Sequence, residues 1–271
     1  MVSLLHLAAL AGYLGSWAVF LRDFREGDAR RAAVGWRLAL GAAVVHLAGL
    51  AVFTLAHDTL PLVGLGPASS TLALVIAALL LAASVREEVR PSALFVVPLI
   101  LLLLSEAVAV GLEPATRQTS FRGPWFVFHV ASVFAGYAGL ALASAAAAMY
   151  VLQFRSLKRK DFGSVFGFMP SLDTLDRLNR AGLGLGFPAL TLGLVAGWGW
   201  TLTYGAGWEL GNPQVVFGAV TWLAYLGAIL ARVWPGGRGE RSAGATSAAF
   251  AITVAVFAAL RLLTGGSGFF L

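Results

Sequence analysis

Eight long apolar segments dominate this sequence and restrict what it can fold into. Each can cross roughly 30 Å of hydrocarbon at about 1.5 Å per residue. Lipid offers the backbone no hydrogen-bond partners and the segments lack strand-like alternation, so we predict helices. They run about 2–21, 35–56, 70–85, 92–112, 125–154, 182–204, 213–234 and 244–264. The predicted fold is all-α: one transmembrane domain over residues 1–271, a polytopic integral membrane helical bundle with eight transmembrane helices.

Positive charges gather on one side of this predicted bundle. Sixteen of the nineteen Lys and Arg residues lie in or beside the connections that follow segments 1, 3, 5 and 7. Cytoplasmic loops of membrane proteins carry such an excess, so we predict that both termini face outward. Arg22 and Arg25 follow the first segment and no basic region precedes it, the reverse of a cleaved signal peptide. We therefore expect the first segment to be retained in the membrane.

Composition excludes several kinds of chemistry. The chain has no cysteine, which excludes disulfides, thiolate metal sites and covalent CxxCH haem attachment. Its net charge of +6 comes from the loops between apolar segments, so we predict no nucleic-acid partner. The sequence contains no GxSxG, HExxH or GxxxxGK[ST] motif. We predict that the chain is not an enzyme.

Four histidines are the side chains best suited to chemistry in this apolar background. In the predicted topology His6, His57 and His129 each lie within about two helical turns of the outer membrane surface. His46 precedes His57 by eleven residues, which places both on one helix face about 16 Å apart. A histidine inside a membrane helix is a metal or haem ligand, a proton carrier or a structural hydrogen-bonding group.

Charged and aromatic residues accompany these histidines in the predicted outer half of the bundle. Glu106 and Arg261 lie within segments 4 and 8. Either the two pair with each other, or Arg261 extends outward to the membrane surface, or Arg261, with Arg122 and Arg117, binds carboxylates of a ligand. Trp198 and Trp208 suit either an interfacial aromatic belt or the walls of a site for a flat aromatic ligand.

The connection 155–181 is the longest between predicted spans. Its run SLDTLDRLNR places leucines on one side, acidic residues early and arginines late, the pattern of a short amphipathic helix. We predict a cytoplasmic amphipathic loop that serves either as a connector or as a docking element for a partner protein.

Several short runs, in order, carry a resemblance to a known family. They are HV at 129–130, GY at 136–137, MYVL at 149–152, LK at 157–158, PSLD at 170–173, LDRLN at 175–179, GFPALTLG at 186–193 and TWLAY at 221–225. Together they resemble the CcsA/HemX family of haem-handling cytochrome c assembly membrane proteins, over about residues 125–235. The family's Trp-rich outer loop corresponds here to GAGWELGNPQ, which keeps only Trp208 and Pro213. This departure favours the HemX-like branch.

The resemblance implies a haem site. His129 takes the family's outer haem-ligand position, and the second ligand is expected to be His57 first and His6 second. The predicted cofactor is haem b, with His129 and His57 as metal ligands. The wider set of predicted cofactor-binding residues is His129, His57, His6, His46, Arg261, Arg122, Trp198 and Trp208.

The predicted function follows from that site. We expect a multi-pass protein of the bacterial cytoplasmic (inner) membrane that holds, relays or exports b-type haem in cytochrome c assembly or haem homeostasis. Its expected partners are membrane lipid, haem and a haem-synthesis or cytochrome c assembly protein bound through the loop 155–181. The alternatives are a transporter or channel for a small solute that uses intramembrane His, Glu and Arg, and a structural or regulatory subunit of a membrane assembly complex.

Overall fold

Long helices make up the computed structural model, which describes residues 1–26, 29–114, 123–160, 168–204, 212–237 and 239–263. They are α1 (Val2–Glu26), α2 (Ala29–His57), α3 (Leu65–Ala83), α4 (Ala93–Val110), α5 (Pro124–Lys158), α6 (Leu172–Tyr204), α7 (Pro213–Val233) and α8 (Glu240–Leu263), with a 3₁₀ helix at Glu87–Ser92 before α4. Every regular element in these ranges is helical. All eight spans have the length and hydropathy needed to cross a membrane. The prediction of an all-α protein with eight transmembrane helices is confirmed.

Several helices extend beyond the predicted boundaries, and two of these differences bear on the candidate site. Helix α3 begins at Leu65, five residues before the predicted start. Pro67 is compatible with this start, because it lies in the first turn, where a backbone N–H has no intrahelical acceptor. Helix α6 begins at Leu172, so the run predicted as a separate short helix in the loop 155–181 forms the first turns of a spanning helix. Ser171 caps this helix, since its hydroxyl accepts a hydrogen bond from the Thr174 N–H at 3.3 Å.

The chain folds into two compact units. The N-terminal unit comprises Met1–Ala115 and Leu152–Thr174, and the C-terminal unit comprises Thr116–Val151 and Leu175–Leu271. The N-terminal unit therefore contains α1 to α4 with the end of α5 and the start of α6. The C-terminal unit contains most of α5 and α6 together with α7 and α8.

Small residues bring α5 and α6 into close contact within the C-terminal unit. A Cβ added to Gly139 would lie 2.8 Å from the Cα of Gly186, and one added to Gly186 would lie 2.7 Å from the backbone nitrogen of Leu140. No larger residue fits between these backbones, which is the usual role of glycine in membrane helix pairs. The two helices are thereby fixed against each other along the segment that leads to His129.

A polar cluster joins four helices at the other end of the same unit. The Arg232 guanidinium of α7 donates to both carboxylate oxygens of Asp176 on α6, at 3.0 and 2.7 Å. It also donates to Asn179 at 3.2 Å and to Ser242 of α8 at 3.0 Å. Asn179 in turn donates to the carbonyl of Ala143 on α5 at 3.0 Å. One arginine thus connects α6, α7 and α8, and Asn179 adds α5. We call these side chains the arginine cluster.

Candidate functional site

His129 lies in the second turn of α5, half-buried against α6. Its Nδ1 atom is 2.7 Å from the carbonyl oxygen of Gly193. A carbonyl can only accept, so Nδ1 carries the proton and the neutral ring keeps its lone pair on Nε2. No hydrogen bond to Nε2 is found among the described residues. This is the tautomer that a metal-ligating histidine needs, with the second ring nitrogen held by a backbone carbonyl.

A glycine makes the space for this imidazole. A Cβ added to Gly197 would lie 2.7 Å from Cε1 and 3.0 Å from Nδ1 of His129. Gly197 follows Gly193 by one turn, so a single face of α6 supplies both the carbonyl and the room for the ring. The sequence signal was the spacing of glycines in α6, but that spacing is equally typical of close packing between membrane helices.

Exposed aromatic residues lie near the start of α5, which carries His129, and near the end of α6. Trp125, Phe128 and Trp198 are 51%, 49% and 52% exposed. The Trp125 indole donates to the carbonyl of Ala196 at 3.0 Å, which fixes it across α5 and α6. Its ring centroid is 6.3 Å from that of Phe128. These side chains offer flat apolar surface near the end of the helix pair.

His57 ends α2 and makes the same kind of hydrogen bond as His129. Its Nδ1 lies 3.0 Å from the carbonyl of Phe53, one turn back, and its ring lies 4.6 Å from the Phe53 ring between centroids. Nδ1 therefore donates here too, and in the neutral ring Nε2 is the nitrogen with the lone pair. His57 belongs to the N-terminal unit and His129 to the C-terminal unit.

His6 and His46 are brought together instead, by a serine. Nε2 of each ring lies 2.9 Å from the hydroxyl oxygen of Ser70, and their ring centroids are 5.4 Å apart. All three side chains are fully buried. Ser70 was not among the predicted site residues, because the sequence does not show which side chain of a neighbouring helix meets each histidine ring.

The directions of these bonds follow from one carbonyl. His6 Nδ1 lies 2.9 Å from the carbonyl of Val2, so it donates, and Nε2 accepts from the Ser70 hydroxyl. Ser70 then accepts from Nε2–H of a neutral His46. This leaves the buried Nδ1 of His46, like the buried Tyr13 hydroxyl, without a hydrogen-bond partner in the described part of the chain. Both nitrogens of His6 are committed, so the geometry of His6 suits a structural role better than iron ligation.

The remaining predicted residues are spread over the chain. Arg261 lies half-buried in the last turn of α8. Glu106 on α4 accepts a hydrogen bond from Ser69 at 3.3 Å in the N-terminal unit. Arg122 and Trp208 lie outside the described residues.

The residues around His129 fit haem by their chemistry. A histidine that serves as an axial ligand must be neutral, with one unprotonated ring nitrogen, and His129 offers such a nitrogen. Haem also needs apolar and aromatic walls, which Trp125, Phe128 and Trp198 can supply.

Comparison with known proteins identifies the family. Residues 38–266 match the family described as Cytochrome C assembly protein. The "Cytochrome c biogenesis protein CcsA" of Guillardia theta is 28% identical over 196 residues, which cover 66% of this chain and 63% of that protein. The protein of the same name from Synechococcus elongatus (strain ATCC 33912 / PCC 7942 / FACHB-805) is 33% identical over 95 residues, which cover 35% of this chain and 29% of that one. The chain thus spans less than two thirds of these relatives.

A solved structure shares the fold. The protein named Cytochrome c Heme Lyase CcmF matches with a TM-score of 0.66 and 19% sequence identity, over 100% of this chain and 47% of its own. Our prediction that the chain is not an enzyme is contradicted by this finding, because the protein that shares the fold is a haem lyase. The absence of hydrolase and kinase motifs was a poor guide, since it says nothing about haem attachment. The placement in the HemX-like branch stays a prediction.

The span count, the order of the short motifs and these comparisons agree. The chain is a multi-pass membrane protein that belongs to the cytochrome c assembly protein family, with CcsA proteins among its relatives.

Proposed function

We propose that this protein binds b-type haem through His129 and holds it for attachment during cytochrome c assembly. The observation that carries the proposal is the hydrogen bond from His129 Nδ1 to the Gly193 carbonyl. It fixes the ring orientation and leaves Nε2 as the ligand atom before any haem arrives. When bound, haem supplies the iron that this imidazole ligates.

His57 is the second histidine that we propose as a haem ligand. Its Nδ1 is also held by a carbonyl, whereas His6 and His46 share the Ser70 hydroxyl. Arg261 and Arg122 are proposed to neutralise propionates, and Trp198 and Trp208 to contact the porphyrin faces.

The location and partners belong to the same proposal. Both termini face outward, the membrane is the bacterial cytoplasmic membrane, and the segment 155–181 meets another assembly protein. The chain contains no cysteine, so the thiols that take up haem in a c-type cytochrome are the partner's.

An absorption spectrum of the full chain, purified in detergent and taken oxidised and reduced, tests the haem site. The His129→Gly variant should lose most of the haem band, and added imidazole should restore it by entering the space left by the side chain. A wild-type protein with no band after reconstitution with haem, or a His129→Gly variant with an unchanged band, would overturn the proposal.

A small-solute transporter that moves protons is the second candidate. The buried chain from Val2 through His6 and Ser70 to His46 favours it, because imidazoles and hydroxyls in a directed hydrogen-bond chain can pass protons. Solute-dependent proton uptake into vesicles by haem-free protein, abolished in Ser70→Ala, would support this candidate. Uptake that equals that of empty vesicles would exclude it.

A further inference from the structure

We propose that a cleft at the end of α7 binds the phosphate headgroup of an anionic membrane lipid. This cleft, the basic cleft below, has a volume of about 780 Å³. Its lining residues are Arg180, Arg232, Val233, Trp234, Pro235 and Gly236. They all belong to the C-terminal unit, on the side that the charge pattern predicts to be cytoplasmic.

The basic cleft carries an uncompensated positive charge. Asp176 neutralises Arg232 through a bidentate ion pair whose shorter contact is 2.7 Å. Arg180 is exposed, and no hydrogen bond or ion pair of its side chain is found within the described ranges. Of the two guanidinium groups in the lining, one is therefore available to an anion.

Arg232 still has a donor to offer. Its bonds to Asp176, Asn179 and Ser242 all use Nη1 and Nη2. Its Nε–H makes no hydrogen bond to any residue that the structure describes. Arg180 and this N–H together suit the oxygens of a phosphate, which guanidinium groups bind with short, charge-assisted hydrogen bonds.

The apolar part of the lining argues for a lipid. Val233 and Trp234 are 71% and 65% exposed, at the very end of a spanning helix. Tryptophan at such a place lies at the level of lipid headgroups. A phosphate that carries an acyl-bearing glycerol would bring its apolar portion against these two side chains, whereas a free phosphate would leave them unused.

Lipid retention by the full-length protein tests the proposal. The protein in detergent is incubated with phosphatidylglycerol or with phosphatidylcholine, and bound lipid is counted by native mass spectrometry. We expect wild-type protein to retain phosphatidylglycerol selectively. The Arg180→Gln variant should bind it at least about tenfold more weakly, the loss expected for one charge-assisted hydrogen bond. Arg180→Lys should recover part of that affinity.

Two controls make the outcome decisive. Arg159→Gln removes another exposed cation, one that does not line the basic cleft, and this variant should retain lipid as the wild type does. Inorganic phosphate should not displace the lipid. The proposal would be overturned by equal retention of the two lipids, or by an equal loss in Arg180→Gln and Arg159→Gln. Displacement of the lipid by inorganic phosphate alone would also overturn it and would assign the cleft to a soluble anion.

Discussion

His129 on α5 and Gly193 on α6 are joined by a 2.7 Å hydrogen bond between an imidazole nitrogen and a backbone carbonyl. The ligand atom of the proposed haem site is therefore oriented by the neighbouring helix rather than by its own. Anything that moves α6 against α5 should change haem binding, even where it touches neither haem nor His129.

Adding one methyl group to α6 tests that dependence. Gly197→Ala places a Cβ 2.7 Å from Cε1 of His129, so we expect the ring to shift from the position in which it donates to Gly193. We expect haem affinity, measured by absorbance titration, to fall by about 10- to 100-fold, as for other losses of groups that orient a metal ligand. Gly184→Ala is the matched control, because nothing lies within 4 Å of its added Cβ. Equal effects of both changes would contradict the role assigned to Gly197.

Ser70, which lies between His6 and His46, should contribute to the stability of the protein but not to haem binding. Ser70→Ala leaves Nε2 of His6 and of His46 buried without their common partner. We expect a loss of about 1–3 kcal/mol in the free energy of unfolding, seen as a lower thermal midpoint in detergent, with an unchanged haem spectrum. Ser84→Ala serves as control, since that hydroxyl donates to the carbonyl of Leu81 in the turn before it and joins no two helices among the described residues. A lost haem band in Ser70→Ala would instead place His6 or His46 among the ligands.

The arginine cluster should be among the most sensitive polar sites. Asp176→Ala removes the carboxylate from Arg232, whose side chain is only 12% exposed. We expect a destabilisation of about 2–4 kcal/mol, because a largely buried cation then lacks its charge partner. Thermal unfolding in detergent, followed by circular dichroism, measures the loss.

Two comparisons distinguish this effect from a general loss of charge. Glu87→Ala breaks an ion pair with Arg90 in which the glutamate is 83% exposed, and should cost below about 1 kcal/mol. The double variant Asp176→Ala/Arg232→Met should recover much of the lost stability. A double variant no more stable than Asp176→Ala would show that the acidic side chain acts other than by pairing.

Alanine substitutions at two glycines in different surroundings should change the stability of the protein in opposite directions. Gly186→Ala would force its Cβ to within 2.7 Å of the Leu140 backbone nitrogen, so we expect α5 and α6 to separate and the protein to lose about 1–3 kcal/mol of stability. Gly227→Ala in α7 meets nothing within 4 Å and should gain about 0.5–1 kcal/mol from helix propensity. Thermal unfolding of both variants measures the difference, and a loss in Gly227→Ala would contradict the open surroundings of that residue.

The helices could be predicted because hydrophobic length alone forces a backbone in lipid to become helical. The start of α6 was predicted only in part: the run from Leu172 to Arg180 was assigned to a short amphipathic helix, but its polar residues separated it from the apolar span that follows. Only the Ser171 cap and the contacts of Asp176 and Asn179 explain why the helix begins there.

The hydrogen-bond partners of the histidines could not be predicted from the sequence either. Sequence spacing places His46 and His57 on one face of α2, but spacing does not reveal which neighbouring helix meets each ring. The Ser70 hydroxyl separates their roles: it binds His46, whereas His57 turns back to its own helix. Tautomers follow from such partners and cannot be obtained from composition.

The arginine cluster and the proposed haem site share helix α6. Asp176 and Gly193 lie on the same helix, seventeen residues apart in the sequence, or about 26 Å at 1.5 Å per residue. Arg232 holds α6 at the Asp176 end, and glycines of α5 contact α6 between Asp176 and Gly193. A displacement of α6 that carries past Pro188 would move the Gly193 carbonyl, and with it the His129 imidazole that donates to it.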